Sequence, residues 1–96
     1  MLTGKQKQYL KSIAVNLPAY VQIGKDGLTE NVVTSVRNVI LARELVKVKI
    51  NQNSDEDIRS TAVLLAKELD TEIVQIIGRN CILFKQKAKK SHYELP

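Results

Sequence analysis

The chain has no tryptophan, and in 96 residues it carries one cysteine, one histidine, one methionine, two prolines, four glycines and one phenylalanine. Each shortage removes a class of protein. A lone thiol, Cys81, cannot form an internal disulfide framework, and with His92 as the only imidazole a zinc site built on cysteine pairs has no ligand set. So little glycine and proline, and no repeat of them, sets aside collagen-like and low-complexity chains. No apolar run approaches the roughly 18–20 residues that a membrane-spanning helix requires. Met1-Leu2-Thr3-Gly4-Lys5 does not open onto the apolar stretch of a signal peptide. The expectation is a cytoplasmic protein without metal or cofactor and with no membrane association. At 96 residues there is chain for one domain and one modest core.

What the sequence does have is charge of one sign, unevenly placed. With 44% hydrophobic and 26% charged residues the chain is globular in composition, and 15 Lys and Arg against 10 Asp and Glu leave +5. Such an excess points to a polyanionic partner without naming one. Lys5, Lys7, Lys11 and Lys25 occupy residues 1–25 with no acid among them, and Lys85, Lys87, Lys89 and Lys90 crowd into six residues near the other end. Between them, residues 26–84 hold seven bases and nine acids. Two basic segments therefore bracket a nearly neutral body. Scattered lysines ordinarily do no more than keep a small domain soluble; it is their clustering here that favours a binding role.

Hydrophobic periodicity gives the order of elements. After Thr3, a plausible N-cap, Leu2, Tyr9, Leu10, Ile13 and Leu17 fall on one side of a helix, with Lys7 and Lys11 on a flank, until Leu17-Pro18 stops it. Tyr9 is expected in the core on this pattern, and Tyr20 and Tyr93 are left as rings free to stack on bases. Ala19–Ile23 alternates like a strand and breaks at Gly24-Lys25-Asp26-Gly27. A helical stripe resumes at Leu28 and continues through Val32, Val33, Val36, Val39 and Ile40 to Arg43. Glu44–Ile50 alternates again, with Val46, Val48 and Ile50 on a core face and Leu45, Lys47 and Lys49 on one that is at least partly wet. Ser54, followed by Asp55, Glu56 and Asp57, predicts a helix start, whose buried stripe is Ile58, Ala62, Leu65, Ala66 and Leu69. Glu72–Ile77 and Cys81–Lys85 form a hairpin about Gly78-Arg79-Asn80. The first three strands, joined by helical crossovers, are expected parallel and the last antiparallel, in an α/β protein of α+β two-layer type with a four-stranded mixed sheet. The single domain is expected over residues 1–86, with 87–96 a basic flexible tail that has no apolar face.

Little here could do covalent chemistry. Cys81 reads as a small core residue, His92 lies in the tail, and Asp55, Glu56 and Asp57 are accounted for as charge at a helix start, so no enzymatic activity is expected. The Gly24-Lys25-Asp26-Gly27 loop is different. It leads from a strand into a helix, so its N–H groups and the helix N-terminus can face a phosphate with Lys25 beside them, and glycines allow a sugar-phosphate backbone to come close. The GXXG loop of KH modules works in this way. Any tight turn can use the same spacing, and the loop lacks the longer glycine spacing and Gly-Lys-Ser/Thr ending of a nucleotide-hydrolysing P-loop.

Several segments together are more specific than the loop alone. Leu2-Thr3-Gly4-Lys5-Gln6-Lys7, Tyr9-Leu10, Val21-Gln22-Ile23-Gly24-Lys25-Asp26-Gly27-Leu28-Thr29-Glu30, Glu44-Leu45-Val46-Lys47-Val48-Lys49 and Val74-Gln75-Ile76-Ile77-Gly78 resemble the bacterial stand-alone CRM domain, the YhbY-like family, over nearly the whole chain. That resemblance implies a fold similar to the C-terminal domain of translation initiation factor three. It also implies RNA binding and association with precursors of the large ribosomal subunit, and its GKxG loop falls on Gly24, Lys25 and Gly27, with Asp26 at the variable place. The chain departs from the family pattern in having Ala14-Val15 where many members have Ala-His, and Leu83-Phe84-Lys85 where many have Leu-Tyr-Arg. The second change keeps a ring and a charge but loses the planar guanidinium. The expected function is a ribosome assembly factor, monomeric, that holds ribosomal RNA of a pre-large-subunit particle mainly by its phosphates. Gly24, Lys25, Asp26 and Gly27 would form the centre of that site, Lys5, Lys7 and Lys11 a flank, and Lys85, Lys87, Lys89 and Lys90 an outer margin. The alternative is a module that docks on an acidic ribosomal or assembly-factor protein.

Overall fold

Thr3 caps the first helix, α1 (Gly4–Ala14), through a reciprocal pair in which its hydroxyl accepts from Gln6 N at 3.1 Å and Gln6 Oε1 accepts from Thr3 N at 2.9 Å. The structure, a computed structural model, describes residues 2–87, 91 and 93–96. Lys89, Lys90 and His92 lie outside them. α1 ends at Ala14, short of the Leu17-Pro18 stop, because the chain tightens through Leu17 N to Ala14 O (3.1 Å) before the proline is reached. In α2 (Glu30–Arg43) the cap is Thr29, whose hydroxyl accepts from Val32 N at 3.2 Å, so Leu28 stands ahead of the helix rather than opening it. The third helix, α3 (Ile58–Leu69), is capped by Asp57 and not by Ser54. Ser54 is buried, with its hydroxyl accepting from Glu56 N at 3.3 Å, and the Asp57 carboxylate takes Ser60 N at 3.0 Å.

The strands are β1 (Val21–Ile23), β2 (Leu45–Ile50), β3 (Glu72–Ile77) and β4 (Asn80–Phe84), in the sheet order β1-β2-β4-β3. β1 and β2 are parallel, while β4 is antiparallel to both β2 and β3, so the first three strands share one direction as the crossovers require. β4 is the strand that separates β2 from β3. The class and the mixed four-stranded sheet agree with the sequence reading.

One face of the sheet packs against α2 and α3 through Val21, Ile23, Val36, Ile40, Val46, Val48, Ile50, Leu65, Cys81 and Leu83, all buried. On the other face α1 adds a layer, burying Leu10 and Ala14 on Leu45, Val74, Ile82 and Phe84. α1 lies against β3. Beyond Leu45, where β2 meets that cluster, the β1–β2 half of the face is open, with Gln22 and Lys49 exposed and Lys47 half-buried. The C-terminal residues also reach this second cluster, for Tyr93 and Leu95 pack against it. That differs from a tail without an apolar face.

Candidate nucleic-acid interface

At the C-terminal end of β1 the chain turns through Gly24–Gly27, closed by Gly27 N to Gly24 O at 3.0 Å. Lys25 and Asp26 stand exposed at the corner, and neither forms a hydrogen bond or ion pair with another described residue. The two glycines have different reasons. Gly27 has φ +73°, and a Cβ there would meet Glu56 Oε1 and, at 3.3 Å, Glu56 Cδ. Gly24 has no such φ, and a Cβ on it would have nothing within 4 Å. Of the two, only Gly24 leaves open space for a ligand, so Gly27 is required by the protein's own packing rather than by the approach of RNA.

Glu56 explains that packing. Its Oε1 accepts from Leu28 N at 3.2 Å and its Oε2 from Thr61 Oγ1 at 3.5 Å, so the loop just ahead of α3 reaches across 28 positions to hold the turn. Glu56 is thus more than charge at a helix start. The start of α2 is also less open to an anion than the sequence suggests: Leu28 N is taken by Glu56, Val32 N by Thr29, and Glu30 sets a further carboxylate in the first turn. Lys25 and the N–H groups of the turn's corner are what this end of the sheet offers. Arg79 braces the same end, donating from Nε to Ile50 O at 2.9 Å and from Nη2 to Asn51 O at 2.7 Å.

The basic residues do not converge on one point. Ile23 pairs with Ile50 at the end of β2, whereas Phe84, just before Lys85, pairs with Leu45 at its start. Five strand steps separate these levels, which is about 17 Å. Between them, on the face left bare by α1, lie Lys47 and Lys49, which were not among the expected site residues. Their signal was the alternation of Val46, Val48 and Ile50, which sends the intervening lysines to the opposite face. Register continues the polar row across the sheet, Gln22 pairing with Lys49 and Lys49 with Asn80.

The flanking lysines divide. Lys5 is exposed on α1, and Lys7 and Lys11 are half-buried beside the packed face. Lys85 Nζ lies 3.8 Å from Asp70 Oδ2, with the lysine side chain 45% and the aspartate 97% exposed, a contact worth little. Lys87 is tied by its backbone, N to Glu44 Oε2 at 2.9 Å. Phe84, the ring that stands in the family's tyrosine position, is buried and serves the core.

Two tyrosines exchange their expected roles. Tyr9 is 38% exposed, because it falls at the margin of α1's buried stripe, while Tyr93 packs edge-on against Phe84 with centroids 5.6 Å apart. Tyr20 is exposed as expected, with the Arg43 guanidinium 4.6 Å from its ring centroid. Burial, and after it the Glu44 carboxylate and the Tyr9 hydroxyl, push the Tyr93 phenol above its ordinary pKa; Arg43 opposes this and Tyr20 adds to it. The three tyrosines and Arg43 therefore share one corner of the molecule. Cys81 is a core residue, its thiol pushed up to about 11 by burial.

The family model of the CRS1 / YhbY (CRM) domain matches residues 2–85. The chain belongs to this family. "Probable RNA-binding protein YqeI" of Bacillus subtilis is 40% identical to this CRM domain over 96 residues, covering all of both chains. An "RNA-binding protein" of Haemophilus influenzae is 33% identical over 95 residues, 99% of this chain and 95% of its own length. The solution structure of SAV1595 from Staphylococcus aureus superposes on this CRM domain with a TM-score of 0.83 at 38% identity, each chain covered in full. Neither relative's name denotes an enzyme. Among the described residues no helix is long and apolar enough to cross a membrane, and no cluster of His, Cys, Asp and Glu could hold a metal ion.

Proposed function

We propose that this chain is an RNA-binding protein, not an enzyme, and that it serves ribosome assembly by holding ribosomal RNA of the large-subunit precursor. The observation that carries the reading is Lys25, exposed and without a partner among the described residues, on a turn whose shape is set from within by Gly27 and Glu56, with Lys49 and Lys47 on the open sheet beside it. A rigid turn that presents a cation and backbone N–H groups suits a phosphate, and phosphate contacts position a protein on RNA without reading sequence. The names of the relatives and the excess of +5 support the same partner. The ribosomal assignment is supported by the family resemblance.

Crosslinking in cells, followed by sequencing of the recovered RNA, tests the assignment directly. Large-subunit precursor RNA should dominate, and recovery of unrelated RNA alone would overturn it. In vitro, Lys25→Ala should weaken binding to a ribosomal RNA fragment by about 1 kcal/mol, roughly fivefold, with the fold unchanged. Association with a precursor particle that survives complete nuclease digestion and ignores salt would instead identify an acidic protein as the partner.

A further inference from the structure

We infer that the bare half of the sheet is a track for an unpaired RNA segment, in which Tyr20 stacks on a base while Lys47 and Lys49 take the phosphates on either side of it. The inference rests on the RNA-binding reading above and names the form of RNA that this face takes. Tyr20 immediately precedes Val21, which pairs with Val48, so its place on the sheet is beside Lys47. Its ring has the Arg43 guanidinium on it at 4.6 Å, yet the residue is 44% exposed. An aromatic ring braced by a cation and left open to water is an unusual use of one of only four aromatic residues in the chain. It has the form of a stacking platform, for which every base offers a π-face.

From Tyr20 a polar row, exposed at Gln22 and Lys49 and half-buried at Lys47 and Asn80, continues in register along the strands. Lys47 and Lys49 are two residues apart on β2 and on one face, and Gln22 and Asn80 flank Lys49 on the neighbouring strands. These side chains donate hydrogen bonds to phosphate, sugar or base edges, and apart from Ile77 at the far end the row has no exposed aliphatic residue with which to bury a protein partner. Past Gln22 the strand ends at Ile23, on the opposite face, and passes directly into the Gly24–Gly27 turn. A duplex would not use it in this way: its bases are stacked on one another, and what it offers a flat face is phosphate and 2′-hydroxyl. Only an unpaired strand can place a ring on Tyr20.

The probes are an oligouridylate of about ten nucleotides, within the range of single-strand sites, and an RNA duplex of about 16 base pairs. Binding of the full chain is read by fluorescence anisotropy. Tyr20→Ala should lose about tenfold in affinity for the oligouridylate and nothing for the duplex, and the intact duplex binding certifies that the variant is folded. Tyr20→Phe, which keeps a ring for both the base and Arg43, should bind the single strand like the wild type. Since the chain has no tryptophan, its emission comes from tyrosine, and the oligouridylate should quench it in the wild type and less in Tyr20→Phe. Equal binding of the single strand by Tyr20→Ala and wild type, or equal loss on both RNAs, overturns the track. If Lys25→Ala weakens both RNAs while Tyr20→Ala weakens neither, the track falls and RNA binding stands. If the wild type binds neither probe, both fall together.

Discussion

At Gly27 a positive φ of +73° and the Glu56 carboxylate behind the α-carbon both exclude a side chain, whereas at Gly24 neither does. The same residue type thus answers to different constraints three positions apart, and substitution separates them. Gly24→Ala should leave the melting temperature within about a degree, because the new methyl meets open space. A fall in RNA affinity would then report on the approach of the ligand, and unchanged affinity would mean that RNA does not come close there. Gly27→Ala should instead cost about 1–2 kcal/mol for the backbone conformation alone, and thermal unfolding checks it. Cys81 carries a prediction of a different kind. Its folded pKa of about 11 stands above the ordinary 9.0, so burial favours the neutral thiol. The stability this provides is complete below pH 9.0 and is lost as pH rises toward about 11. At pH 8 a disulfide exchange reagent should therefore label the native protein only as fast as it unfolds, which a titration with denaturant measures.

Among the elements, the end of α2 does more than the sequence reveals. Glu44 is fully buried with φ 69°, and its carboxylate accepts from Lys87 N at 2.9 Å and from Ser91 Oγ at 2.6 Å. Its carbonyl takes Lys85 N at 2.9 Å. Through these bonds the C-terminal residues are fastened to the sheet, and Tyr93 then meets Phe84. Truncation after Gln86 would leave the Glu44 carboxylate short of both donors and uncover the second cluster. A loss of about 2 kcal/mol should lower the melting temperature by roughly 10 °C in a chain of this size; an unchanged transition would mean that the segment does not hold. Nothing in residues 86–96 announces this, since Tyr93 and Leu95 are single apolar residues among polar ones, and their partners lie far away in the chain. The seven elements, by contrast, are legible because apolar spacing of 3.6 or 2 is a local property, and the direction of each strand follows from the helical crossovers and the hairpin that join them. That β4 and not β3 lies beside β2 is not local, and periodicity is silent on it. In the candidate site the turn itself is legible from Gly24-Lys25-Asp26-Gly27. What ties it down is not, for Glu56 reads equally well as helix-start charge until the fold sets it beside Leu28.

For the whole molecule, the antiparallel course of β4 decides how its charge is used. Because Phe84 pairs with Leu45 while Ile23 pairs with Ile50, the Lys25 turn and the Lys85–Lys87 segment stand at opposite ends of the sheet, with Lys49 and Lys47 between them. These five lysines form a stripe rather than a patch. On the proposed reading a short RNA neutralises one part of it, and a longer one covers it all. Counterion release makes this countable, since each phosphate contact on a single strand adds about 0.7 to the slope of log affinity against log salt. An oligouridylate that reaches Lys25, Lys49 and Lys47 should give a slope near −2, and one long enough to reach Lys85 and Lys87 as well should approach −3.5. The double variant Lys85→Ala, Lys87→Ala should return the long RNA to the slope of the short one. It should leave the fold intact, for Lys85 gives up only an exposed contact with Asp70 and Lys87 keeps the backbone N–H that bonds Glu44. A short RNA should not distinguish this variant from the wild type. If the slope is the same for both lengths and is untouched by the double substitution, the far end of the sheet is not part of the RNA path, and those lysines serve only to keep the chain soluble.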